Sequence, residues 1–132
     1  MKNLIQTDIE GILFDFDGTL VDSATCFHYV INTLLRAHQQ AEVSLSLIRQ
    51  LSEMGSLAVI EHCFRLPAGD PAAMRLQQQF FSLWLDHMTD KERFFHGVFA
   101  QLQQLTAHAI PWGIVSNRPQ RFAEPHIAHH SL

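Results

Sequence analysis

The chain has 132 residues, 47% of them apolar, and a net charge of -4 from nine Lys and Arg against thirteen Asp and Glu. That is about one domain's length with enough apolar content for a core, and the few, scattered basic residues argue against a nucleic-acid surface. No apolar stretch approaches the ~18 residues of a membrane span, and the N-terminal MKNLIQTDIEG carries acids where a secretory segment is apolar, so a soluble cytoplasmic protein without a membrane partner is expected.

Ile9–Phe14 is short, rich in Ile, Leu and Phe, and runs into Asp-Gly, which predicts a buried strand ending in a tight turn. From Ser23 to about His38, apolar Phe27, Val30, Ile31, Leu34 and Leu35 recur at helical spacing, with Ser23 as N-cap. Ser44–Met54 forms a second helix, with Leu47, Ile48 and Leu51 on one face and Gly55 as its stop. Ser56–Phe64 is a third, ended by Leu66-Pro67-Ala68-Gly69, and Pro71–Met88 a fourth with proline in its first turn. Gly97 opens a further helix to about His108, and Trp112–Ser116 is a second apolar strand broken by Asn-Arg-Pro. The apolar stripes of these helices read as core, and Cys26 and Cys63, which lie within them, as reduced, buried residues. Two strands joined through helices predict an α/β fold, a parallel sheet with a helical insertion.

Residues 12–23 read ILFDFDGTLVDS and set Asp15, Asp17 and Asp22 beside a greasy stretch. Desolvating an unpaired carboxylate costs several kcal/mol, on the order of what a metal or other partner must offset. Ligands of open α/β folds gather at the carboxyl ends of strands, where Asp15 and Asp17 would converge. One carboxylate can attack phosphorus while the other, protonated, donates to the leaving oxygen and later takes a proton from water. Mg²⁺ suits two such acids because it prefers hard oxygens and keeps waters while holding phosphate. Gly18 permits the sharp turn and Thr19 can fix it, yet taken alone these residues fit a solvated turn equally well. Asp22 and Ser23 read as caps of the departing helix.

FDFDGTLVDS resembles the first signature of the haloacid dehalogenase-like hydrolase superfamily, and WGIVSNRP its second, a strand ending in Ser or Thr followed by Asn and a basic residue. The order and the intervening helices are similar to the phosphoglycolate phosphatase-like branch with an α-helical cap, and FFHGV resembles the return from cap to core. The resemblance implies an incomplete Rossmann-like parallel core with an inserted cap: core over 1–20, cap over 21–92, core again over 93–132. It implies that Asp15 is the nucleophile, forming an aspartyl-phosphate, and Asp17 the general acid and base. Asp15 and the Asp17 main-chain carbonyl would be Mg²⁺ ligands. Phosphate would meet Ser116, Asn117 and the turn at Phe16, Gly18 and Thr19.

The family's third signature, a downstream Lys, and its fourth, an acidic pair that completes the metal site, have no counterpart before Leu132, and no Lys follows Lys91. The expectation is therefore a fragment or truncated product, impaired as a Mg²⁺-dependent phosphatase of small phosphorylated metabolites. The alternative is a catalytically incomplete module that binds phosphate or a partner chain. A two-stranded sheet is marginal alone, so self-association or complementation through its unpaired edges is expected. His126, His129 and His130 have helix-face spacing suited to a metal, but without acidic or cysteine companions they read as solvated tail, and Arg118 and Arg121 as a solvated loop.

Overall fold

The computed structural model describes residues 9–129. The elements are β1 (Ile12–Asp15), α1 (Ser23–Ala37), α2 (Leu45–Leu51), α3 (Ser56–Phe64), α4 (Pro71–Lys91), α5 (Val98–Ala107), β2 (Trp112–Val115) and α6 (Gln120–His129). The first strand begins later than expected from Ile9 and reaches Asp15, so the first acid of the motif is a strand residue. The expected helix from Ser44 to Met54 is instead α2 followed by a tighter 3₁₀ turn, Ser52–Met54. The Ser44 hydroxyl caps α2 by accepting the Leu47 N–H at 3.2 Å. Asp70 does the same for α4, accepting the Ala72 N–H at 2.8 Å with Pro71 in the first turn.

The apolar stripe of α1 packs against that of α4, so Phe27, Val30, Ile31 and Leu34 meet Phe80, Trp84 and Met88 in one core that α2 and α3 complete. Phe122 of α6 joins it, stacking 5.2 Å from the Trp84 ring. Phe16, Leu20 and Val21 form a second, smaller core with Phe14, Phe94, Val98, Ile114 and Ile127. Cys26 and Cys63 are buried free thiols, as the composition suggested.

β1 and β2 pair in parallel, with Ile12 opposite Trp112 and Asp15 opposite Val115. Phe14 and Ile114 turn one face of this sheet onto the second core. Leu13 (74% exposed) and Val115 (57%) lie on the other face, and among the described residues neither outer edge has a strand partner. No helix among the described residues is long and apolar enough to cross a membrane.

Other expectations are corrected, and Ser23 is the first residue of α1 rather than its N-cap. Asp22 holds the N-cap position of α1 but makes no side-chain cap bond, because its carboxylate receives both terminal nitrogens of Arg49 at 2.8 Å each. His126 is no solvated tail: α6 carries it into full burial, with its Nε2 2.9 Å from Glu92 Oε2. His130 lies outside the described residues.

Candidate active site

The chain leaves β1 through a turn whose backbone bonds are satisfied internally. The Phe16 carbonyl accepts from Leu20 and Val21 at 3.0 and 3.1 Å, and Gly18, at φ +77°, donates its N–H to the Val21 carbonyl at 2.8 Å. Glycine is suited there because an added Cβ would be strained at that φ. The Asp22 N–H donates to Arg93 O at 2.8 Å and the Phe95 N–H to Leu20 O at 2.9 Å, which ties the turn to the segment returning from the helical bundle. β2 ends in a comparable device: the Ser116 hydroxyl accepts the Arg118 N–H at 3.0 Å and keeps its own O–H available to donate.

The parallel register sets these two ends side by side. Asp15 is paired with Val115, so Ser116 follows immediately beyond it. A cleft of about 210 Å³ opens there, lined by Leu13, Phe14, Asp15, Val115, Ser116 and Asn117. It brings together an exposed carboxylate, a hydroxyl and a side-chain amide, groups able to serve as a nucleophile and as neutral donors to an anion. Gly18 and Thr19 lie exposed on the turn, and the Phe16 ring is fully buried. A larger cavity, about 570 Å³, opens on the helical bundle beside Val43, Leu47, His62 and Arg65. Its carboxylate, Glu42, is held by Arg36 at 2.7 Å, and it lies at neither strand end.

The Asp17 carboxylate is not part of the smaller cleft's lining. It receives Nη2 and, at 3.2 Å, Nε of Arg118, whose side chain is 0% exposed where a solvated loop was expected. Arg118 Nη2 also donates to both oxygens of Glu92, at 3.0 and 2.9 Å. The guanidinium carbon lies 4.9 Å from the Phe16 ring and 4.7 Å from the Trp84 ring. Burial works against the charge on Arg118, but the hydrogen bonds to Asp17 and the charge of Glu92 outweigh it and hold its pKa above the ordinary guanidinium value. Glu92, itself fully buried, further accepts the Trp84 indole N–H at 2.8 Å.

Reading the sequence missed Arg118, Glu92 and Trp84. Only Arg118 left a trace, as the basic residue of the SNR tripeptide. As metal donors, the Asp15 carboxylate and the Asp17 main-chain carbonyl two residues on are hard oxygens, a set that fits Mg²⁺ better than a softer ion. Among the described residues no group of three or more His, Cys, Asp and Glu side chains is arranged to hold a metal.

Comparison with known proteins gives a consistent picture. The family described as haloacid dehalogenase-like hydrolase matches residues 12–132. The chain is 31% identical over 117 residues to an N-acetylmuramic acid 6-phosphate phosphatase of Pseudomonas aeruginosa, covering 89% of this chain and 52% of that protein. It is 35% identical over 125 residues to a phosphoglycolate phosphatase of Rhodobacter capsulatus, covering 92% and 57%. The chain thus spans about half the length of the curated relatives it matches. A crystal structure of a predicted phosphoglycolate phosphatase from Haemophilus somnus superposes with TM-score 0.79 at 21% identity, over 93% of this chain and 58% of that one. A putative phosphatase from Clostridium difficile gives 0.80 at 17%, over 96% and 57%. At such identities the structural likeness speaks for the fold.

Proposed function

This chain belongs to the haloacid dehalogenase-like hydrolase family, and on that footing we propose that it carries the nucleophile half of a phosphatase site for phosphoric monoesters of small metabolites. The observation that supports this most is the register that pairs Asp15 with Val115 and so opens one cleft to the Asp15 carboxylate, Ser116 and Asn117. The names of the two curated relatives point to phosphate esters of organic acids, and we propose that class of substrate here.

In the proposed reaction an Asp15 oxygen attacks phosphorus, the ester P–O bond breaks, and the leaving oxygen takes a proton from Asp17, whose protonated oxygen no longer accepts from Arg118. Asp17, now a carboxylate, removes a proton from water as that water attacks the aspartyl-phosphate, releasing inorganic phosphate and restoring Asp15. Ser116 donates to a phosphoryl oxygen, and Asn117 stands beside it for a second. The Asp15 carboxylate and the Asp17 main-chain carbonyl would hold Mg²⁺, which supplies neutralising charge between carboxylate and phosphate. The helices from α1 to α4 would serve as the lid that excludes water.

A second reading has its own support. The Asp17 carboxylate is held by Arg118, and the chain spans about half of its relatives, so a module that binds phosphate without turning it over is the alternative. Hydrolysis of p-nitrophenyl phosphate with Mg²⁺, compared between this chain and Asp15→Asn, separates the two: a rate lost in the variant supports the phosphatase, whereas equal background rates leave only binding.

We also propose that two copies of this chain associate through the unpaired outer edges of the sheet. Two unpaired strand edges beside exposed apolar side chains are the features through which sheets extend between molecules.

A further inference from the structure

Behind the cleft lies a buried cluster of charge that the proposed reaction does not use. Arg118 is fixed from three directions: Glu92 engages its Nη2 with both oxygens, and Phe16 and Trp84 flank its guanidinium plane at 4.9 and 4.7 Å. Glu92 is fixed in turn by the Trp84 indole at 2.8 Å and stands 2.9 Å from His126 Nε2. It is also the residue at which α4 ends, its N–H donating to Met88 O at 2.9 Å, so it marks the junction between the helical bundle and the segment returning to the sheet.

Asp17 alone in this set is partly in water, its side chain 34% exposed. A free aspartate there would turn among several rotamers. The planar fork of an arginine grips a carboxylate at two points and so fixes both its position and its tilt, which a point charge such as lysine does not. The fork fits the carboxylate, the form that takes a proton from water, and proton transfer is sensitive to misplacement of about 1 Å, so a base on a solvated turn gains from such a grip.

We propose that Arg118 is a positioning residue for the Asp17 carboxylate, and that Glu92 sets where Arg118 stands, so that the base of the helical bundle dictates the orientation of the acid. The inference rests on reading Asp17 as the base that takes a proton from water. It adds two residues, Arg118 and Glu92, and a direction of influence, from α4 through Arg118 to Asp17.

The test is spectroscopic and needs no turnover. In the ¹³C-labelled 132-residue chain, the side-chain carboxyl resonance of Asp17 is identified by its loss in Asp17→Asn. Arg118→Met should move that resonance toward the position of a solvated aspartate, and Arg118→Lys should move it part of the way. Glu92→Gln, which does not touch Asp17, should also move it, and should add nothing when Arg118→Met is already present. Methyl signals of Ile31 and Val59, deep in the helical core, should stay in place, which separates repositioning from general loosening. An Asp17 signal unmoved by Glu92→Gln, or moved as far with Arg118→Met already in place, overturns the proposal. Should Arg118→Met fail to fold by circular dichroism, the same comparison is made on Arg118→Lys, where the effect of Glu92→Gln must shrink for the proposal to stand. An active chain with uncoupled signals would defeat this inference alone, whereas an inactive chain with coupled signals would defeat only the phosphatase reading.

Discussion

Trp84 donates its indole N–H to Glu92 across 2.8 Å, with donor and acceptor both inside the protein and eight residues apart in the chain. Trp84→Phe keeps most of the ring and removes the donor, leaving a buried carboxylate one hydrogen bond short. Such a deletion costs about 1–3 kcal/mol. Urea unfolding followed by circular dichroism should show a lower midpoint at unchanged slope.

Asp22 and Arg49 form a two-point ion pair that ties α2 to the start of α1. The hydrogen bond to Asp22 raises the Arg49 pKa, yet the arginine side chain is 45% exposed, so solvent screens most of the benefit. Arg49→Ala should lower stability by only ~0.5 kcal/mol. The loss should fade as salt is raised to 1 M, where the screening length falls to about 3 Å.

Burial, with the Glu92 charge adding to it, pushes the Cys26 thiol up to about 12 from the ordinary 9.0. Below pH 9 the thiol is neutral whether the chain is folded or not, so it contributes no pH dependence there. Between 9 and 12 the unfolded chain loses the proton and the folded one keeps it, so stability falls as pH rises, by at most about 1.4 kcal/mol per pH unit. Cys26→Ala should flatten that decline in denaturant titrations across the window, whatever packing the smaller side chain sacrifices. Native Cys26 should also resist iodoacetamide at pH 8, since the thiolate is the reactive form.

The unpaired outer edges of the sheet should cause association that grows with protein concentration. Size-exclusion chromatography with light scattering should find dimers of the 15.1 kDa chain whose share rises with concentration. A compact monomer at every concentration would remove the proposed contact.

Much of this arrangement was legible in the sequence because it is local. The helices followed from the spacing of Phe27, Val30, Ile31 and Leu34 and from the stops at Gly55 and Pro67, signals that lie within a few residues of what they govern. The strand tips followed from the two signatures, and Asp15 and Ser116 were singled out 101 positions apart (116 − 15) before any pairing was known. What escaped was decided by partners distant in the chain. Asp22 has a capping residue's identity and the N-cap position, but Arg49 arrives from α2 and takes its carboxylate. Arg118 reads as a loop cation until Glu92, Trp84 and Phe16 surround it. His126 reads as part of a tail until α6 folds against the return segment. Neither local propensity nor periodicity carries information about such encounters.

The parallel pairing of Ile12 with Trp112 spans 100 positions of chain (112 − 12). Closing so long a loop costs on the order of 4 kcal/mol of entropy, whereas the neighbouring helices of the bundle meet across short connections. We therefore expect the helices to assemble early and the cleft late. A newly made chain would already look helical to circular dichroism while Asp15 and Ser116 were still strangers, and the cleft between them would close only with the slowest step of its folding.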